Sequence, residues 1–152
     1  SFSLASVKIG YVDMQKAIQS TSAGKKAKSK LEKEYNKKKK QLKKMEADLK
    51  KMNDDLEKKS LVLSDDVRAQ KQRSLQEEML KYRELVGKSQ LDIQKKERDL
   101  TLPIIKKLRS IIEDVAKKEG YTMILEKNEN GVMWAKKDVD LTDLIVKRFE
   151  KK

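Results

Sequence analysis

Apolar positions recur at alternating steps of three and four through Tyr35, Leu42, Met45, Leu49, Met52, Leu56 and Leu63, with Lys38 and Lys59 at the two missing places. The spacing continues through Leu75, Met79, Tyr82, Val86, Ile93 and Leu100, interrupted by Gln72, Ser89 and Lys96. Each run is a heptad seam, too narrow to sustain a helix alone, so the two are expected to cover one another. Ser64 is suited to N-cap the second run, with Asp65 and Asp66 in its positive first turn, so the chain is expected to reverse at residues 60–66. Residues 25–100 therefore read as one antiparallel helical hairpin, symmetric about Val62 and Leu63. An arm of about 36 residues extends on the order of 54 Å at ~1.5 Å per residue, longer than a compact domain of this size requires.

Outside the hairpin the pattern changes. Residues 7–12 alternate, with Val7, Ile9 and Tyr11 on one face, and read as a strand. Asp13 is placed to cap a short helix from Met14 to Ser20. The small polar stretch 20–24 marks the border between body and arm. Thr101-Leu102-Pro103 reads as a joint, because proline disfavours helix in the residue before it. A broader stripe follows in Ile104, Ile105, Leu108, Ile111, Ile112, Val115 and Ala116, ending at Gly120 as a C-cap. Residues 121–127 and 132–135 are β-rich and flank Asn128-Glu129-Asn130-Gly131, which predicts a β-hairpin with Trp134 in the body core. Asp138 or Asp140 caps a final helix carrying Leu141, Leu144, Ile145 and Phe149.

The predicted fold is thus α+β and mostly helical: a long antiparallel coiled-coil hairpin, 25–100, projecting from a small β-sheet or barrel body, 1–24 and 101–152. Three short strands leave open edges and too little core, so oligomerisation is expected to complete the body through Ile9, Tyr11, Met123, Leu125, Val132 and Trp134. Residues 1–6 are too short and polar for a signal peptide or a membrane span and read as the remnant of a cleavage or cloning junction.

Composition narrows the chemistry. Among 152 residues there is no histidine and no cysteine, which removes the usual proton shuttle, the thiolate nucleophile and the commonest transition-metal ligands. The pairs Asp54-Asp55, Asp65-Asp66 and Glu77-Glu78 sit on helices, where adjacent side chains diverge. No phosphate-cradling or nucleophile-elbow motif occurs. No catalytic residue, metal site or cofactor is expected, and the chain reads as a non-enzyme. The net charge is +13, concentrated in the first arm, where residues 25–59 hold fifteen lysines against seven carboxylates. Residues 64–100 hold nine Lys and Arg against eight carboxylates. Lys37, Lys38, Lys39, Lys40, Lys43 and Lys44 form the densest cationic surface and suit an anionic partner.

Three blocks resemble the Skp family of periplasmic chaperones, the OmpH-like proteins. They are residues 8–18, KIGYVDMQKAI; residues 102–121 from Leu102-Pro103-Ile104 to Glu119-Gly120-Tyr121; and the ending Tyr121 to Leu125, Val132 to Ala135 and Asp140-Leu141-Thr142-Asp143. The resemblance implies a homotrimer whose pooled strands form a small barrel and whose arms surround a cavity. It implies a periplasmic, ATP-independent holdase for unfolded outer-membrane proteins, although the chain itself carries no export signal. The cationic field, apart from the resemblance, also suits contact with anionic lipid or lipopolysaccharide. The competing reading is a basic coiled coil that binds nucleic acid through the first arm; its support is charge alone, without a groove-reading motif. A prefoldin-like chaperone would carry its strands between the two helices, whereas here they lie outside both.

Within the arm, Leu61, Val62 and Leu63 cannot all face one seam, and Leu80, Leu85 and Leu91 lie off it. These six are the expected client contacts. Lys38, Gly87 and Ser89 are expected to lie at one level and, supplying no apolar knob, to form a hinge.

Overall fold

A computed structural model describes residues 6–151. Its elements are β1 (Ile9–Val12), α1 (Met14–Ser20), α2 (Ser22–Lys59), α3 (Asp65–Glu119), β2 (Met123–Glu126) and α4 (Thr142–Lys151), with one 3-10 turn at Lys137–Val139. The chain falls into two compact units. One holds the chain up to Ser29 and from Glu97 onward; the other is Lys30–Lys96.

In the first unit the broad stripe forms the core. Ile104, Leu108, Ile111 and Val115 are buried along one face of α3 and meet Val12, Ala17, Leu141, Ile145 and Phe149. Pro103 lies inside α3 and does not form the expected joint. Proline forfeits one backbone bond, and apolar packing immediately after it keeps the helix continuous. Gly120 ends α3 at φ +71, and the Tyr121 N–H donates to the Ala116 carbonyl at 3.0 Å, a Schellman closure.

β1 and β2 pair in parallel, Ile9 beside Met123 and Tyr11 beside Leu125. A parallel pair requires a long crossover, and here α2 and α3 supply it. The expected third strand does not form among the described residues. Asn128–Gly131 does turn, with the Gly131 N–H on the Asn128 carbonyl at 3.3 Å. No residue there adopts positive φ, so the turn lacks the twist that returns a strand along its partner. Residues 132–136 continue without regular structure, and Trp134 is 78% exposed, not in the core.

Two polar nodes fasten this unit. Asp13 caps α1 by accepting the Lys16 N–H at 3.0 Å. Asp140 accepts both the N–H and the hydroxyl of Thr142, at 3.0 and 2.6 Å, and the Thr142 hydroxyl oxygen accepts the Asp13 N–H at 3.0 Å. The start of α4 is thereby tied to the start of α1. At the α1–α2 junction, buried Thr21 donates to the Ile18 carbonyl and accepts the Gly24 N–H, each at 2.9 Å. A Cβ on Gly24 would lie 1.7 Å from the Ile18 carbonyl oxygen, so only glycine permits this turn. Helix α2 therefore begins before the polar stretch ends. Glu150, from the last turn of α4, accepts the N–H and hydroxyl of Ser22 at 2.6 and 2.7 Å and caps α2 from a distance in sequence.

The second unit is the antiparallel hairpin. Ser64 caps α3 through its hydroxyl on the Val67 N–H at 3.3 Å, and Asp65 and Asp66 occupy the first turn. Arg68 donates to the Ser60 and Leu63 carbonyls and holds the reversal. Lys38 pairs with Asp92, and the Tyr82 hydroxyl bonds Glu46. Those pairs centre the hairpin on Ser64 and Asp65, slightly past the expected Val62 and Leu63. Most seam residues are half-buried, whereas Tyr35 and Met79 remain exposed.

Candidate client-binding surface

The arm unit has almost no interior. Among its described residues only Ser89 is buried, at 6% exposure. A polar seam residue is thus the best covered, and Lys38 sends its amine across to Asp92 at 3.1 Å in place of an apolar knob. The expected level of Lys38, Gly87 and Ser89 is altered accordingly. Lys38 faces Asp92 and the groove beside Ser89, while a Cβ on Gly87 would meet nothing within 4 Å.

The six expected contact residues separate into two groups. At the reversal Leu61 and Val62 are 96% and 81% exposed, whereas Leu63 turns inward and is half-buried. On α3, Leu80 and Leu91 are exposed and, three helical turns apart, share a face; Leu85 is half-buried on another. Lys37, Lys39, Lys40, Lys43 and Lys44 are exposed, and because four of the six basic positions are consecutive they point around the helix, not along one stripe.

Sequence reasoning overlooked two grooves between the helices of the arm. One, of about 740 Å³, is lined by Tyr35, Leu42, Val86 and Ile93 under a rim that includes Lys39 and Lys43. The other, of about 500 Å³, has Leu49, Leu75 and Met79 at its floor beside Lys50 and Arg83. Both include Glu46 and Tyr82. The heptad positions flanking the seam carried this signal.

In the other unit, β1 and β2 leave an apolar face open. Ile9, Met123 and Leu125 are 44%, 47% and 43% exposed. Tyr11 shares that face but is covered within the chain, where Asp140 bridges to β1. Burial, together with the Asp140 charge and hydrogen bond, raises the Tyr11 pKa. Burial would likewise push the Asp140 carboxyl up, but the bonds from Thr142 and Tyr11, with Lys16 nearby, carry it below its ordinary value. Val132 is half-buried and Met133 is fully open beside Trp134. Among the described residues no cluster of acidic, histidine or cysteine groups could hold a metal ion, and no helix is long and apolar enough to cross a membrane.

The family model described as outer membrane protein (OmpH-like) matches residues 8–149. The crystal structure of a protein from Caulobacter crescentus CB15, assigned as an outer membrane chaperone (OmpH-like), superposes with a TM-score of 0.81 at 18% identity. The alignment covers 99% of this chain and 88% of that one. No protein of curated function matches the chain.

Proposed function

Because the chain belongs to the OmpH-like family of outer membrane proteins, we propose that it is a periplasmic, ATP-independent holdase that keeps unfolded outer-membrane proteins from aggregating. The observation that carries this reading is the arm unit, sixty-seven residues from Lys30 to Lys96, in which only one described residue is buried. Such a unit stores no enclosed site; it offers surface. Exposed Leu61, Val62, Leu80 and Leu91 supply apolar contact, and the lysines around them keep the arm soluble while attracting acidic chains.

The working form is a homotrimer. The open sheet face of Ile9, Met123 and Leu125, with Val132 and Trp134 nearby in sequence, needs cover that a second and third copy would provide. Residues 1–24 and 101–152 form the assembling body and 25–100 the client-handling arm. Gly87, close to the Lys38–Asp92 pair, gives the arm a place to bend, since it weakens the helix without filling any space.

The deciding experiment dilutes a denatured outer-membrane β-barrel protein from urea with and without this chain and follows light scattering without nucleotide. Suppression of scattering is expected, and sedimentation equilibrium should give three copies. A folded monomer, or unsuppressed scattering together with tight duplex DNA binding at physiological salt, would replace the reading with that of a basic coiled coil.

A further inference from the structure

On α2, Lys39, Lys43, Glu46, Lys50 and Asn53 recur at steps of four and three, so they form one stripe along the helix. All five line the two arm grooves, and Glu46 and Tyr82 belong to both. The grooves therefore run on one face of the hairpin as a single channel, narrowed where the Tyr82 hydroxyl donates to Glu46. From Lys39 to Asn53 it extends about 21 Å at ~1.5 Å per residue. Its floor is apolar, Leu42 and Leu49 from one helix and Val86 and Met79 from the other, each pair one heptad apart.

Charge along the channel is one-sided. Lys39, Lys43, Lys50 and Arg83 stand at its edges, and among the described residues none of the four takes part in an ion pair or side-chain hydrogen bond. Lys38 is neutralised by Asp92. The one carboxylate lining the channel, Glu46, is occupied by Tyr82, an arrangement that also raises the Tyr82 pKa through the hydrogen bond. An apolar floor between unpaired cations complements an apolar segment carrying acidic side chains. A channel of about 21 Å accommodates roughly six extended residues at ~3.3 Å each.

We propose that this channel is a docking site for short extended segments of unfolded protein in which apolar and acidic residues are interspersed. The proposal rests on the holdase reading and sharpens it by defining which segments of a client the arm selects. An unfolded chain offers such segments only while its strands are unpaired, so a folded client is released by losing them.

The test uses the full chain and two fluorescein-labelled octapeptides with the same apolar residues, one with glutamates interspersed and one with lysines, read by anisotropy. The acidic peptide should bind and the basic one should not. Lys43→Glu with Lys50→Glu should weaken the acidic peptide about tenfold, as two exposed attractions become repulsions. Lys59→Glu with Lys71→Glu makes the same change of net charge at a separate, smaller groove beside Met52 and Leu56, and should leave binding nearly unchanged. Circular dichroism establishes that both variants keep their helix. Equal weakening by the two pairs, no binding by the wild type, or binding only of anionic phospholipid vesicles overturns the proposal. Light scattering on the same samples reads holdase activity separately: suppression that persists without peptide selectivity removes the channel alone, and absence of suppression removes the chaperone reading.

Discussion

The two units solve the problem of holding helices in opposite ways. In the body nine apolar side chains are buried in one cluster, and Leu108, Val115 and Ile145 are fully enclosed. In the arm no apolar residue is buried, and cohesion is divided among seam positions that each give up part of their surface. A wide apolar stripe concentrates stability in a few residues, whereas a narrow one distributes it and leaves surface free for partners.

Leu108→Ala should show the contrast most strongly, costing about 2–5 kcal/mol for an enclosed leucine, against about 1 kcal/mol for half-buried Leu49→Ala. Urea unfolding measures both, and equal costs would erase the distinction. Gly24→Ala should follow at about 1–3 kcal/mol, because its Cβ collides with the Ile18 carbonyl; an unperturbed melting temperature would show that the junction yields.

Acid should act on the body before the arm. The Asp140 and Glu150 carboxyls are both held below their ordinary values, Asp140 against its own burial and Glu150 chiefly by the Ser22 hydroxyl and N–H. A depressed carboxyl contributes stability above its unfolded pKa of ~4, and that contribution is lost as pH falls through the folded value. Asp140→Asn should flatten this acid limb and cost about 1 kcal/mol at neutral pH by weakening the bonds it accepts from Thr142. An unchanged acid limb would remove Asp140 from the cause. Tyr11 acts with the opposite sign: its raised pKa favours the fold below ~10, and stability falls as pH rises through the folded value. The smallest effect is a gain, Gly87→Ala, worth about 1 kcal/mol to the arm because the added methyl meets open space. Hydrogen exchange across the arm would register it as slower opening, and no change would place the weak point elsewhere.

Periodic features were legible in the sequence. The seams, the caps at Asp13 and Ser64, the stripe from Ile104 to Val115 and the Gly120 stop all follow from local spacing and backbone chemistry. Relations between distant segments were not. Turn composition at Asn128–Gly131 suggested a hairpin, but backbone dihedrals decide whether a turn returns a strand, and composition does not fix them. An aromatic side chain such as Trp134 favours an interior place, yet it is 78% exposed because the strand expected to carry it does not form. Proline at 103 suggested a break, and its packed neighbours overrode local preference. On the arm, Leu61 and Val62 stand exposed as the triplet implied, whereas the channel required knowing that Lys39, Lys43 and Lys50 flank the same apolar floor as Arg83.

The bond from Glu150 to Ser22 also bears on the order in which the chain acquires structure. A polypeptide made from its N-terminus exposes β1 and the start of α2 more than a hundred residues before β2 and α4 exist. The hairpin between them has all its partners as soon as residue 96 has emerged, so it can form while the rest of the chain is still being made. β1 has no strand to pair with until Met123–Glu126 arrives, and α2 has no cap until nearly the last residue. The body therefore closes last, once β2 and α4 are present.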